Sequence, residues 1–116
     1  MSDHIDLTFL KQFSKEDPVR MKKYIDMFVS MAPGQIEKMK TSLATKDWPS
    51  LKTAAHSMKP QLSYMGIGAV KQVILDIQDN AADQKNLDNL PDLITTLETE
   101  VDHALVELRE AMEDLG

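Results

Sequence analysis

From Leu90 to Leu115, apolar residues recur every three or four positions: Leu90, Ile94, Leu97, Val101, Ala104, Leu105, Leu108, Met112 and Leu115. That is the period of one face of an α-helix. A stripe this long needs a full-length groove to cover it, and the rest of the chain must supply that groove. No period-2 run of β-branched residues is long enough to argue for a strand. With only 4 Gly and 8 Met among 116 residues, turn signals are few and straight-chain helix formers are common. The groove is therefore expected to be helical.

Taken in order, residues 1–5 are expected to fray. Asp6 can cap a short first helix through Phe13, with Ile5, Phe9, Leu10 and Phe13 as its apolar side. Asp17 and Pro18 form a good N-cap and first helical residue. The second predicted helix runs to about Ala32 and buries Met21, Tyr24, Ile25, Phe28 and Met31. Pro33-Gly34 is expected to break it and start a third, to near Thr45, with Ile36, Met39 and Leu43 inward. Asp47-Trp48-Pro49 repeats the cap-and-proline start. The next helix carries Leu51, Ala55, Met58, Leu62 and Met65 inward, and Gly66-Ile67-Gly68 ends it. Another follows from about Ala69 to Ala82, with Val70, Val73, Ile74, Ile77 and Ala81 inward. Asp83 to Asn89 reads as a polar loop before the long stripe. These lengths predict one all-α domain over 1–116. Its architecture is an antiparallel four-helix bundle, up-down-up-down, with one or two short additional N-terminal helices.

Composition removes several functions. There is no Cys, so disulfides and thiolate metal sites are excluded. A net charge of −6 argues against non-specific nucleic-acid binding. The aromatic residues, 5% of the chain, are expected to form no stacking array. No apolar run approaches the roughly 20 residues that span a bilayer, and no signal peptide is visible. A cytoplasmic location is the default expectation. Each helix has one apolar stripe, which the bundle itself uses, so a monomer is expected. His4 and His103 show no metal-ligand spacing with other groups, and no metal site is expected. No glycine loop suited to phosphate appears, so ATP binding by such a loop is not expected.

His56 is different. Beside the apolar stripe of its helix lies a second one, Lys52, His56, Lys59 and Ser63. Lys59 is one turn from His56, so its ammonium reaches the same solvent volume as the imidazole. A like charge there favours a neutral ring, which has a free nitrogen and can act as a nucleophile. The same ammonium would attract a phosphoryl group. Thr53 and Ser63 are small and leave the ring approachable. Pro60 lies four residues after His56, so the His56 carbonyl loses its regular helical hydrogen bond and a kink is expected. Pro60 equally suits a bend that only follows the core. If the two helices about Gly66-Ile67-Gly68 form an antiparallel hairpin, His56 and Gln78 are equidistant from Ile67. Gln78 could then hydrogen-bond one ring nitrogen and leave the other pointing outward. It equally suits a surface position between Ile77 and Asp79.

In Ala-Ala-His56-Ser-Met-Lys59-Pro-Gln-Leu-Ser-Tyr-Met-Gly66, the chain resembles the histidine-containing phosphotransfer (HPt) family. The family hallmark is a His on a bundle helix, Lys three residues later and Gly ten after the His. A Gln on the following helix commonly orients the imidazole, and Gln78 stands at the matching distance. Pro60 departs from the pattern, which usually has Gly there. The resemblance implies a two-component phosphorelay protein that accepts a phosphoryl group on His56 from a receiver-domain aspartyl phosphate. It then passes the group to the Asp of another receiver. Lys59 would stabilise the phosphoryl oxygens, Gln78 would orient the ring and Gly66 would be structural. Lys52, Thr53, Pro60 and Ser63 would belong to the docking surface. The partners implied are receiver domains of a hybrid sensor kinase and of a response regulator. Mg²⁺ would be supplied by the receiver, with no cofactor bound by this chain, which would be a phosphohistidine carrier without autokinase activity. The alternative is an adaptor of the same fold that docks receivers or helices without phosphotransfer. A metal or hydrolytic enzyme is disfavoured because no second ligand or base converges on His56.

Overall fold

Both expected aspartate–proline starts begin a helix. The structure is a computed structural model that describes residues 5–115. Its helices are α1 (Thr8–Phe13), α2 (Pro18–Ala44), α3 (Trp48–Tyr64), α4 (Lys71–Asp83) and α5 (Leu90–Asp114). Short 3₁₀ turns, Gly68–Val70 and Leu87–Asn89, precede α4 and α5. Asp17 accepts the Val19 N–H at 3.0 Å and Asp47 the Ser50 N–H at 3.2 Å. Each carboxylate thus satisfies an otherwise unpaired first-turn donor. Residues 1–4, and His4 with them, lie outside the described residues. Ile5, expected in the frayed end, is buried.

One boundary expectation fails. Pro33-Gly34 does not break the chain, and α2 runs through Pro33 for 27 residues. The apolar stripe explains this. Met21, Ile25, Phe28, Ala32, Ile36 and Met39 are all buried and keep helical spacing across the proline, so two separate helices would have to give up that shared face. Pro33 and Gly34 both lie on the exposed side, where a missing N–H does not disturb the core. Ala32, and not Met31, fills the inward position. With the second and third predicted helices joined, four long helices form the bundle and α1 is the short addition.

α2 packs on α3 and α5, and α4 packs on α3 and α5. Hence α3 and α5 occupy opposite corners. Lys40 of α2 and Glu98 of α5 pair across their seam at 2.5 Å, and that bond holds the Lys40 ammonium above its ordinary range. The α5 stripe is covered from Leu90 to Leu108. Met112 and Leu115 are only half-buried, because the groove runs out in the last turn.

Four of the helices end in left-handed residues: Lys15, Lys46, Gly66 and Gln84, with φ of 56°, 57°, 66° and 51°. At α2, the N–H of Lys46 reaches the Leu43 carbonyl and that of Asp47 the Ser42 carbonyl. At α3, Gly66 and Ile67 make the same pair to Ser63 and Leu62. This pattern absorbs orphan carbonyls and usually takes Gly at the turning residue. Here Gly stands at just one of the four positions.

Candidate functional site

α3 is half core and half surface. Leu51, Ala54, Ala55, Met58 and Leu62 are buried, while Lys52, Thr53, His56, Lys59, Pro60 and Ser63 are exposed. At 100° per residue, Lys52, Lys59 and Ser63 fall within about 60° of His56 on one side and Pro60 within about 40° on the other. The helix passes through Pro60 without interruption. Pro60 has no N–H, so the His56 carbonyl lacks its regular helical donor. The Thr53 hydroxyl donates to the Pro49 carbonyl at 2.9 Å and the Ser63 hydroxyl to the Lys59 carbonyl at 3.4 Å. Both are turned onto their own helix, leaving the imidazole and ammonium groups as the outward polar features.

Lys59 and Ser63 also line an open cleft of about 500 Å³. Gly66 and Lys71 stand on its far side, and Thr8, Phe9 and Gln12 of α1 form its wall. Asp6 lines it too. Its carboxylate accepts the Thr8 N–H at 3.0 Å, and hydrogen bonds from Thr8 hold it below the ordinary carboxylate range.

α4 returns along α3 after the turn at Gly66–Val70. About 12 Å of helix separates His56 from the end of α3, and about 10 Å of α4 plus one 3₁₀ turn separates Gln78 from the other side. The two residues therefore stand at about the same height on adjacent helices. No hydrogen bond joins them in the free chain. Instead, Oε1 of Gln78 is buried with no hydrogen-bond partner. A buried acceptor left without a donor costs about 1–3 kcal/mol.

The aromatic residues depart from expectation. Phe9 and Phe13, placed on the buried side of α1, are 48% and 53% exposed. A six-residue helix against α2 and α3 buries just Leu10. The rings instead stack at the surface. Phe9 and Phe13 lie 5.5 Å and 5.9 Å from Tyr64, and Phe13 meets Tyr24 edge-on at 5.3 Å. Met27 of α2 is exposed beside this group. Tyr64 is two turns along α3 from His56 and about 80° round, so an apolar patch adjoins the polar stripe. No single helix carries it, so helical periodicity did not reveal it. Among the described residues, no three His, Asp or Glu gather to hold a metal ion, and no helix is long and apolar enough to cross a membrane.

Comparison with known proteins follows the same lines. A family model described as Hpt domain matches residues 23–115. Among solved structures, histidine-containing phosphotransfer protein B (HptB) from Pseudomonas aeruginosa PAO1 aligns at a TM-score of 0.87. It is 20% identical, and the alignment covers 98% of each chain. At that identity the likeness speaks for the fold. No curated protein matches the chain.

Proposed function

The chain belongs to the Hpt domain family, whose role is histidine phosphotransfer in phosphorelays, and on that premise we propose that His56 is the phosphoryl acceptor. The observation that carries the proposal is the placement of His56. It is exposed in the middle of α3 and flanked by Lys52 and Lys59 with no carboxylate on the helix. It also stands level with an unpartnered buried acceptor on α4.

In the proposed step, a receiver domain carrying an aspartyl phosphate docks over α3. The lone pair of the outward imidazole nitrogen attacks phosphorus. An N–P bond forms, the P–O bond to the aspartyl oxygen breaks, and the electron pair leaves with the Asp carboxylate. Such transfers pass through a loose, in-line transition state, so positioning and charge stabilisation do most of the work. Lys59 stabilises the phosphoryl oxygens. In the docked state the ring's other N–H donates to Oε1 of Gln78, which satisfies that acceptor and fixes the tautomer. The receiver supplies Mg²⁺. The reverse reaction onto a second receiver's Asp completes the relay, from a hybrid sensor kinase to a response regulator. The exposed patch of Phe9, Phe13, Met27 and Tyr64 extends the docking surface beyond Lys52, Thr53, Pro60 and Ser63.

The test is incubation with phosphorylated receiver domains and Mg²⁺. Acid-labile label is expected on the wild-type chain and not on His56→Gln. Label retained by that variant sinks the assignment. Tight receiver binding without any transfer would favour the adaptor reading instead.

A further inference from the structure

Charge is divided unevenly along the chain. Residues 1–71 hold 11 Lys and Arg against 7 Asp and Glu, and residues 72–116 hold 2 against 12. The fold turns much of this into a spatial division, although α4, packed on α3, carries Asp76, Asp79 and Asp83 against Lys71, and Asp6 lines the cleft. α3 carries Lys52 and Lys59 and no carboxylate, and Lys71 joins Lys59 at the cleft. α5 carries Arg109 against eight carboxylates, of which Asp92, Asp102, Glu110, Glu113 and Asp114 are exposed. Because α3 and α5 share neighbours but occupy opposite corners, α3 and the most anionic helix are as far apart as the bundle allows.

The carrier reading fixes the partner's chemistry. A receiver face that holds an aspartyl phosphate and a divalent cation is built from carboxylates and is anionic. We propose, resting on that reading, that the bundle is electrically polarised across its α3–α5 diagonal, so that an anionic receiver face is drawn to the His56 corner and turned away from α5. Adjacent helix axes lie about 8–10 Å apart, so the diagonal is roughly 12–14 Å. A small positive charge near the partner then competes with the three aspartates of adjacent α4 and with the larger negative charge of α5 farther off. Unscreened, the two nearly offset, since Coulomb energy falls only as the inverse distance. At about 0.1 M salt the screening length is about 10 Å, which suppresses the distant charge more than the near one. At 1 M, where it is about 3 Å, both are lost. The attraction therefore peaks at intermediate ionic strength. Transfer also ends it. A phosphoryl group adds about −1.5 to −2 charges beside Lys52 and Lys59, which removes the field that admitted the donor.

The experiment is stopped-flow association between about 0.01 and 1 M salt. The probe is the receiver that labels His56, loaded with beryllofluoride and Mg²⁺ so that no transfer occurs. The wild-type rate is expected to peak near 0.1 M and to fall at least about threefold by 1 M, within the range of electrostatic steering. Lys71→Glu, which lies outside the proposed docking surface, should lose the peak. Its rate should rise with salt and come within about twofold of wild type at 1 M, where steering is screened out. Glu110→Gln with Glu113→Gln should speed low-salt association about threefold and shift the peak to lower salt. The phosphorylated chain should behave like Lys71→Glu. A wild-type profile flat within about twofold overturns the polarity and leaves the carrier function standing. So does a Lys71→Glu variant still slow at 1 M, since that deficit would come from contact and not from a field. Absence of label on His56 with every receiver overturns both.

Discussion

The backbone of Asp6 lies directly over Gly66: a Cβ placed on Gly66 would come within 1.9 Å of the Asp6 carbonyl oxygen. This close approach, more than the left-handed backbone, explains why Gly stands here while Lys15, Lys46 and Gln84 fill the equivalent helix ends. Gly66→Ala must bear about 1–2 kcal/mol for its backbone conformation and must also displace the N-terminal segment. The expected outcome is a fall in Tm of more than about 5 °C, at roughly 4 °C per kcal/mol for this chain length. Amides of Thr8–Phe13 should lose hydrogen-exchange protection. An unchanged exchange pattern in α1 would contradict the clamp.

The remaining left-handed positions make the opposite prediction. Lys46 is exposed and already carries a Cβ at φ 57°, so Lys46→Gly relieves the strain of a non-Gly residue there. A gain of about 0.5–1 kcal/mol is expected by urea unfolding followed through Trp48. The lost attraction of the Lys46 ammonium for the α2 terminus offsets part of it.

α2 offers a second gain. A Cβ on Gly34 meets nothing within 4 Å, and the residue lies inside a helix, so Gly34→Ala should stabilise by about 0.5–1 kcal/mol. Pro33→Ala restores a helical hydrogen bond. The roughly 3 kcal/mol helix penalty is reduced by the unfolded-state entropy that proline removes, leaving a net gain of about 1–2 kcal/mol. Destabilisation by either variant would mean that the residue present there is needed for the packing of α2.

Gln78→Met separates stability from function. It keeps the side-chain length and deletes a buried acceptor that has no donor. The free chain should be equally stable or more stable, while transfer to His56 slows about tenfold for want of ring orientation. Unimpaired transfer would remove Gln78 from the site.

Lys59→Ala should slow transfer with a stability change within about 0.5 kcal/mol, because the side chain is exposed. The same transfer assay reads it. A rate equal to wild type would leave the phosphoryl oxygens without their proposed cation.

Apolar period and cap chemistry made most of the bundle legible in advance. Leu51 to Met65, Ile74 to Ala81 and Leu90 to Leu108 are buried as their spacing required, and Asp17, Asp47 and Gly66 mark real helix ends. Two features escaped. Local breaker rules favoured a stop at Pro33, but a stripe shared with both neighbouring helices outweighed them. The Phe9, Phe13, Tyr24 and Tyr64 group draws on three helices, and its geometry exists only once they are packed. The site behaves likewise. His56 and Lys59 were visible as one turn of one helix, whereas the unpartnered state of the Gln78 oxygen is a property of the packed hairpin.

The helices differ in length by a factor of two. At 1.5 Å per residue, α2 and α5, of 27 and 25 residues, span about 40 and 37 Å. The hairpin of α3 and α4, of 17 and 13 residues, spans only about 25 and 20 Å. In mechanical terms the long pair is a beam and the hairpin a shorter plate fixed to one part of it. A tether or a fused domain pulling on the far end of α5 would load the beam directly, and the plate that carries the imidazole only through its packing on that beam.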